Sequence, residues 1–161
     1  MTDSTNTNPP APGPARYLRP SRADQWTAAT LRTLVHLGIG PWGARELRVR
    51  GRKSGRLRST VVNLLQVGDQ RYIVAPRGAT EWVRNLRAAG SGELWLGRRC
   101  EKFDATELPD EEKAPVLKAY LDRWAFEVGR FFEGLHKGSS VEELAGFASS
   151  FPVFRVVPAS N

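Results

Sequence analysis

The sequence contains a single cysteine, Cys100, and only two histidines, His36 and His136. One cysteine excludes an internal disulfide, and the wide separation of the histidines leaves no metal-ligand spacing, so we expect no metal site. No apolar run is long enough to cross a bilayer. The first residues lack the charged start and apolar block of a secretory signal. These absences together predict a cytoplasmic protein.

The sequence also lacks the usual signatures of catalysis by side chains alone. Ser54 lies in a predicted turn rather than a G-x-S-x-G elbow, and there is no G-x-x-x-x-G-K-[ST] phosphate loop. The segment GIGPWG at 38–43 matches G-x-G-x-x-G, but a predicted helix precedes it and Pro41 interrupts it, so we interpret it as a helix-ending turn. No catalytic residue is assigned. An enzyme with this sequence would need a bound cofactor for its chemistry.

Positive charge is in excess, and most of it lies in one short segment. The net charge is +7, and residues 45–58 contain seven Arg or Lys and one acidic residue, Glu46. A nucleic-acid-binding surface usually spreads its charge more widely and interleaves aromatic residues, so nucleic acid is the least favoured partner. A solvated turn at a sheet edge is the simpler alternative. Repulsion among so many like charges favours instead a compact polyanion, such as the phosphate and carboxylates of a cofactor.

Short turns between alternating segments predict antiparallel pairing. The fold class is therefore mainly β with helices (α+β), with about six strands in a small closed or partly closed barrel. Residues 1–20 are predicted to be a disordered Pro-rich arm, and residues 21–161 a single domain. The strands are expected at 46–50, 58–66, 70–75, 93–99, 101–108 and 153–157.

Helices are predicted at 24–37, at 80–89 with Thr80 as the cap, and over a long region from Pro109 onward. A short helix with a capping box follows Ser140. We interpret the first helix as packing on the core. A peripheral contact with a membrane is the alternative, although the polar face of this helix is not strongly basic.

The turn within the basic segment has the composition of an anion site. Gly51 and Gly55 bracket Arg52, Lys53 and Ser54, which together offer a hydroxyl, two cations and backbone N–H groups. Arg58 begins the returning strand and can aim a planar guanidinium at the same anion.

Three segments make the sequence recognisable: GRKSG followed by Arg58, then YIVAPRGA at 72–79, then EWVRNL at 81–86. This ordered set resembles the deazaflavin (F420)-dependent nitroreductases, also called F420H2-dependent quinone reductases. The resemblance covers about residues 45–108, and the terminal PVFRVVP is similar as well. It implies a split β-barrel of the flavin-reductase-like type that binds coenzyme F420, an 8-hydroxy-5-deazaflavin. Ala79 and Glu81 depart from the residues usual in relatives.

The resemblance also implies roles for individual residues. It places phosphate and oligoglutamate-tail contacts at Arg52, Lys53, Ser54 and Arg58; deazaflavin contacts at Ser59, Thr60, Val61, Val62 and Asn63; backbone contacts to the ring at Ala75, Pro76, Arg77 and Gly78; and further contacts at Trp82 and Asn85. Trp124, Phe131 and Phe132 are candidates for the wall of a substrate pocket, although core packing is the simpler explanation for each one separately.

The implied function is an F420H2-dependent oxidoreductase that transfers a hydride to a quinone, an enone or a nitroaromatic. An FMN-binding reductase in the same barrel class, whose phosphate would use the same turn, is an alternative. A non-catalytic F420 carrier is another. The expected partner is a small-molecule acceptor, and the chain is expected to be a monomer or a homodimer.

Overall fold

The computed structural model describes residues 22–132 and 134–160. The predicted arm at 1–20 lies outside these residues. The described part of the chain forms four α-helices and six strands. The helices are α1 (Arg22–His36), α2 (Glu81–Ala89), α3 (Asp110–Val128) and α4 (Val141–Ala145), and the strands are β1 (Ala44–Arg50), β2 (Leu57–Val67), β3 (Gln70–Val74), β4 (Ser91–Leu96), β5 (Arg99–Glu107) and β6 (Val153–Pro158).

The six strands close into a barrel in the order β1-β2-β3-β6-β5-β4. Every neighbouring pair is antiparallel, and β4 pairs back onto β1 to complete the ring. Closure leaves no unpaired sheet edge among these strands. The prediction of a six-stranded antiparallel barrel with flanking helices is confirmed.

Two clusters of buried apolar side chains stabilise this architecture. One is formed by the strands and α2, and includes Leu47, Ile73 and Phe103, each with none of its surface exposed. The other lies between α3 and the C-terminal segment, and includes Trp124 and Phe132. Full burial of such side chains contributes about 1.5–3 kcal/mol each. The helical layer thus covers the barrel and leaves room for a cavity beside it.

The first helix contributes less to the core than predicted. Within α1, Val35 is buried, whereas most of the other described side chains are exposed or half-buried. The turn that ends the helix has the predicted form: the N–H of Gly38 donates to the Val35 carbonyl at 3.0 Å, and the N–H of Ile39 donates to the Leu34 carbonyl at 2.9 Å. Gly38 has a φ of +84°, which favours glycine at this helix end. Much of α1 covers the cavity described below.

Several large apolar side chains beyond α1 are exposed, notably Leu37 (71%) and Phe126 (72%). The ring of Phe126 meets that of Trp42 edge-on, with 5.8 Å between centroids. Among the residues that the structure describes, no helix combines the length and apolar character needed to cross a membrane. A peripheral membrane contact stays a prediction.

An ion pair joins β3 to β5, two strands that are not hydrogen-bonded to each other. Arg71 Nη1 donates to Glu101 Oε2 at 2.9 Å, and Nη2 donates to Oε1. The hydrogen-bonded guanidinium of Arg71 holds the pKa of Glu101 below its ordinary value, and the charge of Arg45 adds to this effect. The bidentate geometry makes this pair a good candidate for a measurable contribution to stability.

We expect Glu101→Gln to lower the free energy of unfolding at neutral pH by about 0.2–1 kcal/mol, the range of partly exposed ion pairs. Because the folded-state pKa is depressed, the contribution is present above the ordinary value of 4.5 and is lost as pH falls through the folded-state pKa. Urea titrations at neutral and acidic pH measure the difference in free energy of unfolding between the wild type and Glu101→Gln. Asp104→Asn on the same strand is the control, and a pH-independent loss in Glu101→Gln would contradict the assignment.

Candidate functional site

A cavity of about 960 Å³ lies between α1, the barrel wall, the start of α2 and the end of α3. This volume is in the upper range of small-molecule sites. Its wall is formed by Gln25, Thr27, Ala28, Leu31 and Arg32 from α1; Leu47 and Val49 from β1; residues 58–63 from β2; Val74 at the end of β3 and Ala75, Pro76 and Arg77 after it; Thr80, Glu81, Trp82 and Asn85 around α2; and Tyr120, Arg130 and Phe131 from the second half of α3 and the turn that follows it.

The structure brings Arg58 and parts of the segments 72–79 and 81–86 to the wall of this cavity. Most of the predicted cofactor residues line it: Arg58, Ser59, Thr60, Val61, Val62, Asn63, Ala75, Pro76, Arg77, Trp82 and Asn85. The other four, Arg52, Lys53, Ser54 and Gly78, do not line it.

The turn between β1 and β2 uses several of its polar groups to close itself. The N–H of Gly51 donates to the Arg56 carbonyl and the N–H of Gly55 donates to the Gly51 carbonyl, both at 2.8 Å. The hydroxyl oxygen of Ser54 accepts from the Arg56 N–H at 3.3 Å. These three N–H groups are therefore engaged within the turn. Its side chains remain the more available groups for an anion.

The basic residues of segment 45–58 are not all available to one anion, because some of them are engaged within the protein. Arg48 donates from Nε and Nη2 to the two carboxylate oxygens of Glu46, both at 3.1 Å, and this contact raises the pKa of Arg48. Arg50 donates to the Gly55 carbonyl at 2.8 Å. Side chains alternate between the two faces of β1, and these cations also form contacts within the protein. Both effects reduce the repulsion among the cations.

Arg52 joins the turn to α2. Its Nη1 donates to Glu81 Oε2 and to Asn85 Oδ1, both at 2.9 Å, and its backbone N–H donates to the same Asn85 oxygen at 3.2 Å. Asn85 is only 5% exposed, so its side chain fixes the turn against the helix. The hydrogen-bonded guanidinium of Arg52 also holds the pKa of Glu81 below its ordinary value.

Five cations of the basic segment form no ion pair with any described residue: Arg45 and Arg50, which donate to backbone carbonyls, and Lys53, Arg56 and Arg58. Of these, Arg58 lines the cavity. It stands at the start of β2, whose following residues continue along the cavity wall as far as Asn63. An anion at Arg58 would therefore lie at one end of the site.

A family model described as F420H(2)-dependent quinone reductase matches residues 40–128, more than half of the chain. The chain belongs to the F420H2-dependent quinone reductase family. It is therefore an oxidoreductase, and its cofactor is F420. No curated protein matches the chain.

Similar solved structures agree on the fold of this family member. The Agrobacterium tumefaciens C58 protein Atu2129, of unknown function, superposes with a TM-score of 0.53 at 13% identity. The match covers 82% of the present chain but only 55% of Atu2129. A structure described as a domain-swapped dimer has a TM-score of 0.52 at 17% identity, and the match covers 84% of the present chain and 99% of the other. The F420-H2 dependent reductase FDR-A has a TM-score of 0.50 at 18% identity, and the match covers 71% of the present chain and 94% of FDR-A. The split β-barrel prediction is confirmed.

The cavity of this family member combines a buried polar atom without a partner among the described residues with an apolar wall, the two kinds of surface that a flat ring with polar atoms would need. Thr80 occupies the predicted cap position of α2, but its side chain makes no capping hydrogen bond. Instead Thr80 lines the cavity, and its Oγ1 is buried without a partner among the described residues. A buried hydroxyl left unpaired costs about 1–3 kcal/mol, which a ligand atom would offset. Apolar side chains such as Val61 and Val74 form part of the cavity wall.

Two of the backbone N–H groups in the loop after β3 are already engaged within the protein. The N–H of Ala75 donates to the Pro152 carbonyl at 2.9 Å, and the N–H of Gly78 donates to the Ala75 carbonyl at 3.1 Å. Pro76 has no N–H. Contacts between this loop and the ring stay a prediction, and for Ala75 and Gly78 they would have to involve the carbonyl oxygens.

Of the three aromatic candidates for a substrate pocket, only Phe131 lines the cavity. Trp124 and Phe132 are 0% and 1% exposed and belong to the core beneath α3, where Phe132 stacks on Phe151 at 4.2 Å. Both side chains pack into this core rather than against the cavity, which explains the difference. The Phe131 ring is half-buried and has the guanidinium of Arg77 at 4.8 Å.

Sequence reasoning missed the residues that α1 and α3 contribute to the cavity. Tyr120 is 2% exposed yet lines it, and so does Arg130, whose guanidinium lies 4.8 Å from the Phe131 ring. Helical periodicity marks Tyr120 as inward-facing without distinguishing core from cavity, and it gives no such signal for Arg130. The α1 residues carry no local signal of their position over the barrel.

Proposed function

We propose that this chain binds F420H2 in the cavity and reduces a quinone, an enone or a nitroaromatic. The observation that supports this most is the course of β2 along the cavity wall. Arg58 and Asn63 both line it, and the five residue steps of strand from one to the other span about 17 Å. That length allows one wall to bind an anionic chain at the Arg58 end and a ring toward the Asn63 end.

The chain's own residues would hold the cofactor by three kinds of contact. Arg58 and Lys53 would bind the phosphate and tail carboxylates through charge-assisted hydrogen bonds. Ser59, Thr60 and Asn63 would donate to or accept from polar atoms, since their side chains make no hydrogen bond to a described residue. Trp82, which lines the cavity while packing on Phe154 at 6.0 Å, would contact the ring.

When bound, reduced F420 supplies a hydride to an electrophilic acceptor. The protein's part is to hold the acceptor beside the cofactor and to exclude water. The half-buried ring of Phe131 offers a flat apolar surface for such an acceptor, and α1 covers the cavity from outside.

Titrating the purified protein with F420 and, in parallel, with FMN tests the cofactor assignment through fluorescence. We expect F420 to bind at least about tenfold more tightly, because its tail carboxylates add charged contacts beyond the shared phosphate. Tighter binding of FMN would contradict the proposal.

Steep salt-dependent retention on DNA without affinity for either cofactor would favour nucleic-acid binding.

Mixing F420H2, protein and menadione or a nitrofuran tests turnover. We expect the loss of reduced cofactor to depend on both protein and acceptor. Binding of F420 without oxidation of F420H2 by either acceptor would identify a non-catalytic carrier instead.

The oligomeric state is proposed to be a homodimer, with a monomer as the alternative. The support is that one similar structure is a domain-swapped dimer. Light scattering after size exclusion measures the mass directly.

A further inference from the structure

The cavity rim contains a carboxylate that already binds the basic turn. Glu81, the first residue of α2, accepts from Arg52 Nη1 at 2.9 Å and from Arg84 Nη1 at 3.1 Å. The ammonium of Lys53 also acts on it electrostatically. Glu81 lines the cavity, and its side chain is 67% exposed. One carboxylate therefore lies among three cations at the edge of the site.

This arrangement resembles the contact that a carboxylate of a bound cofactor would make. A tail glutamate presents the same functional group as Glu81, and Arg52 is the residue of the turn best oriented toward α2. Because Nη1 of Arg52 already donates to both Glu81 and Asn85, an incoming carboxylate must share Arg52 with Glu81 or displace it. Like-charge repulsion between the two carboxylates opposes such sharing.

We propose that Glu81 competes with the anionic tail of the cofactor for Arg52 and Lys53, and so limits how much affinity each added tail carboxylate contributes. This inference rests on the proposed binding of F420. Glu81 is then a specificity-determining residue for tail length. Arg58, which does not contact Glu81, binds the phosphate end independently of this competition.

Glu81→Gln tests the proposal because it removes the charge while keeping the side-chain length. The amide can still accept from Arg52, and Asn85 still joins the turn to α2. Fluorescence titrations would compare the deazaflavin chromophore without phosphate, the phosphorylated form without glutamate, and forms with increasing numbers of glutamates. We expect Glu81→Gln to bind the longest-tailed form about two- to fivefold more tightly, as for an exposed carboxylate, and the unphosphorylated chromophore unchanged.

Glu107→Gln is the matched control. Glu107 also pairs with an arginine of α2, Arg87, at 2.7 Å, and its replacement changes the net charge equally, but it does not line the cavity. We expect this variant to bind every form like the wild type. High salt should reduce the gain of Glu81→Gln, since screening weakens exposed charges.

The outcomes separate this inference from the proposed function. Failure of the wild type to bind any deazaflavin would overturn both. If the wild type binds, the inference alone is overturned by an unchanged affinity in Glu81→Gln, by an equal gain in Glu107→Gln, or by an equal gain for the unphosphorylated chromophore. Weaker binding of the tailed forms would also overturn it, since Glu81 would then orient Arg52 for the tail.

Discussion

Replacing Arg58 with alanine should weaken F420 binding by about 1.5–3 kcal/mol, roughly 10- to 150-fold in Kd. The expected loss is that of a hydrogen bond to a charged group. Arg58 is the one cation of the β1–β2 segment that lines the cavity, and among described residues it has no carboxylate partner. An anion bound there would therefore not have to break an existing ion pair. Fluorescence titration of F420 measures the change.

Two further variants make the Arg58 result specific. Arg98→Ala removes the same charge from the exposed β4–β5 turn, away from the cavity, and should leave the affinity unchanged. Arg58→Lys keeps the charge but loses the planar fork, so its affinity should lie between those of the wild type and Arg58→Ala. Equal weakening by Arg98→Ala would indicate a general effect of net charge rather than a contact at Arg58.

The parts of the fold that were predictable depend on local sequence signals. Alternating side chains mark β1, where Leu47 and Val49 are buried and Arg48 and Arg50 are more exposed, as the pattern indicates. Gly38 at positive φ ends α1 where the sequence predicts a turn. Antiparallel pairing follows from the short connections between strands, and a barrel is the simplest way to remove the edges.

The parts that were not predictable depend on partners distant in sequence. The charge of Arg52 is met by Glu81, which lies well beyond the basic segment along the chain. Counting charges within 45–58 cannot include that carboxylate, so the local sequence overstates how much of the segment's positive charge is unpaired. The role of Thr80 also depends on distant residues. Its sequence position predicts a helix cap, but its hydroxyl makes no capping hydrogen bond, and Thr80 lines the cavity instead.

Dependence on residues distant in sequence also explains why the sequence does not show which aromatic side chains of α3 border the cavity. Trp124 and Tyr120 lie on neighbouring turns, with ring centroids 5.0 Å apart, yet Tyr120 lines the cavity and Trp124 does not. A helix that packs between a core and a cavity needs apolar side chains toward both. Sequence spacing therefore identifies the inward face, whereas the placement of the barrel beneath it decides which side chain borders the cavity.

Trp124→Ala should lower the free energy of unfolding by about 3–5 kcal/mol, the cost of a large cavity in a packed core. Trp124 is fully buried in the cluster beneath α3, and the arginine Arg123 packs against its ring at 4.9 Å. Because domains of this size are stable by about 5–15 kcal/mol, this one change removes a large share of the total. Urea unfolding followed by circular dichroism measures it.

The comparison with two milder variants distinguishes a core residue from a pocket wall. Trp124→Phe should cost less than Trp124→Ala, since it keeps most of the ring and removes an indole N–H that is buried without a partner among the described residues. Phe131→Ala, at the half-buried cavity wall, should affect stability less but acceptor turnover more. The reverse pattern, with turnover lost in a fully stable Trp124→Phe, would mean that Trp124 borders the acceptor after all.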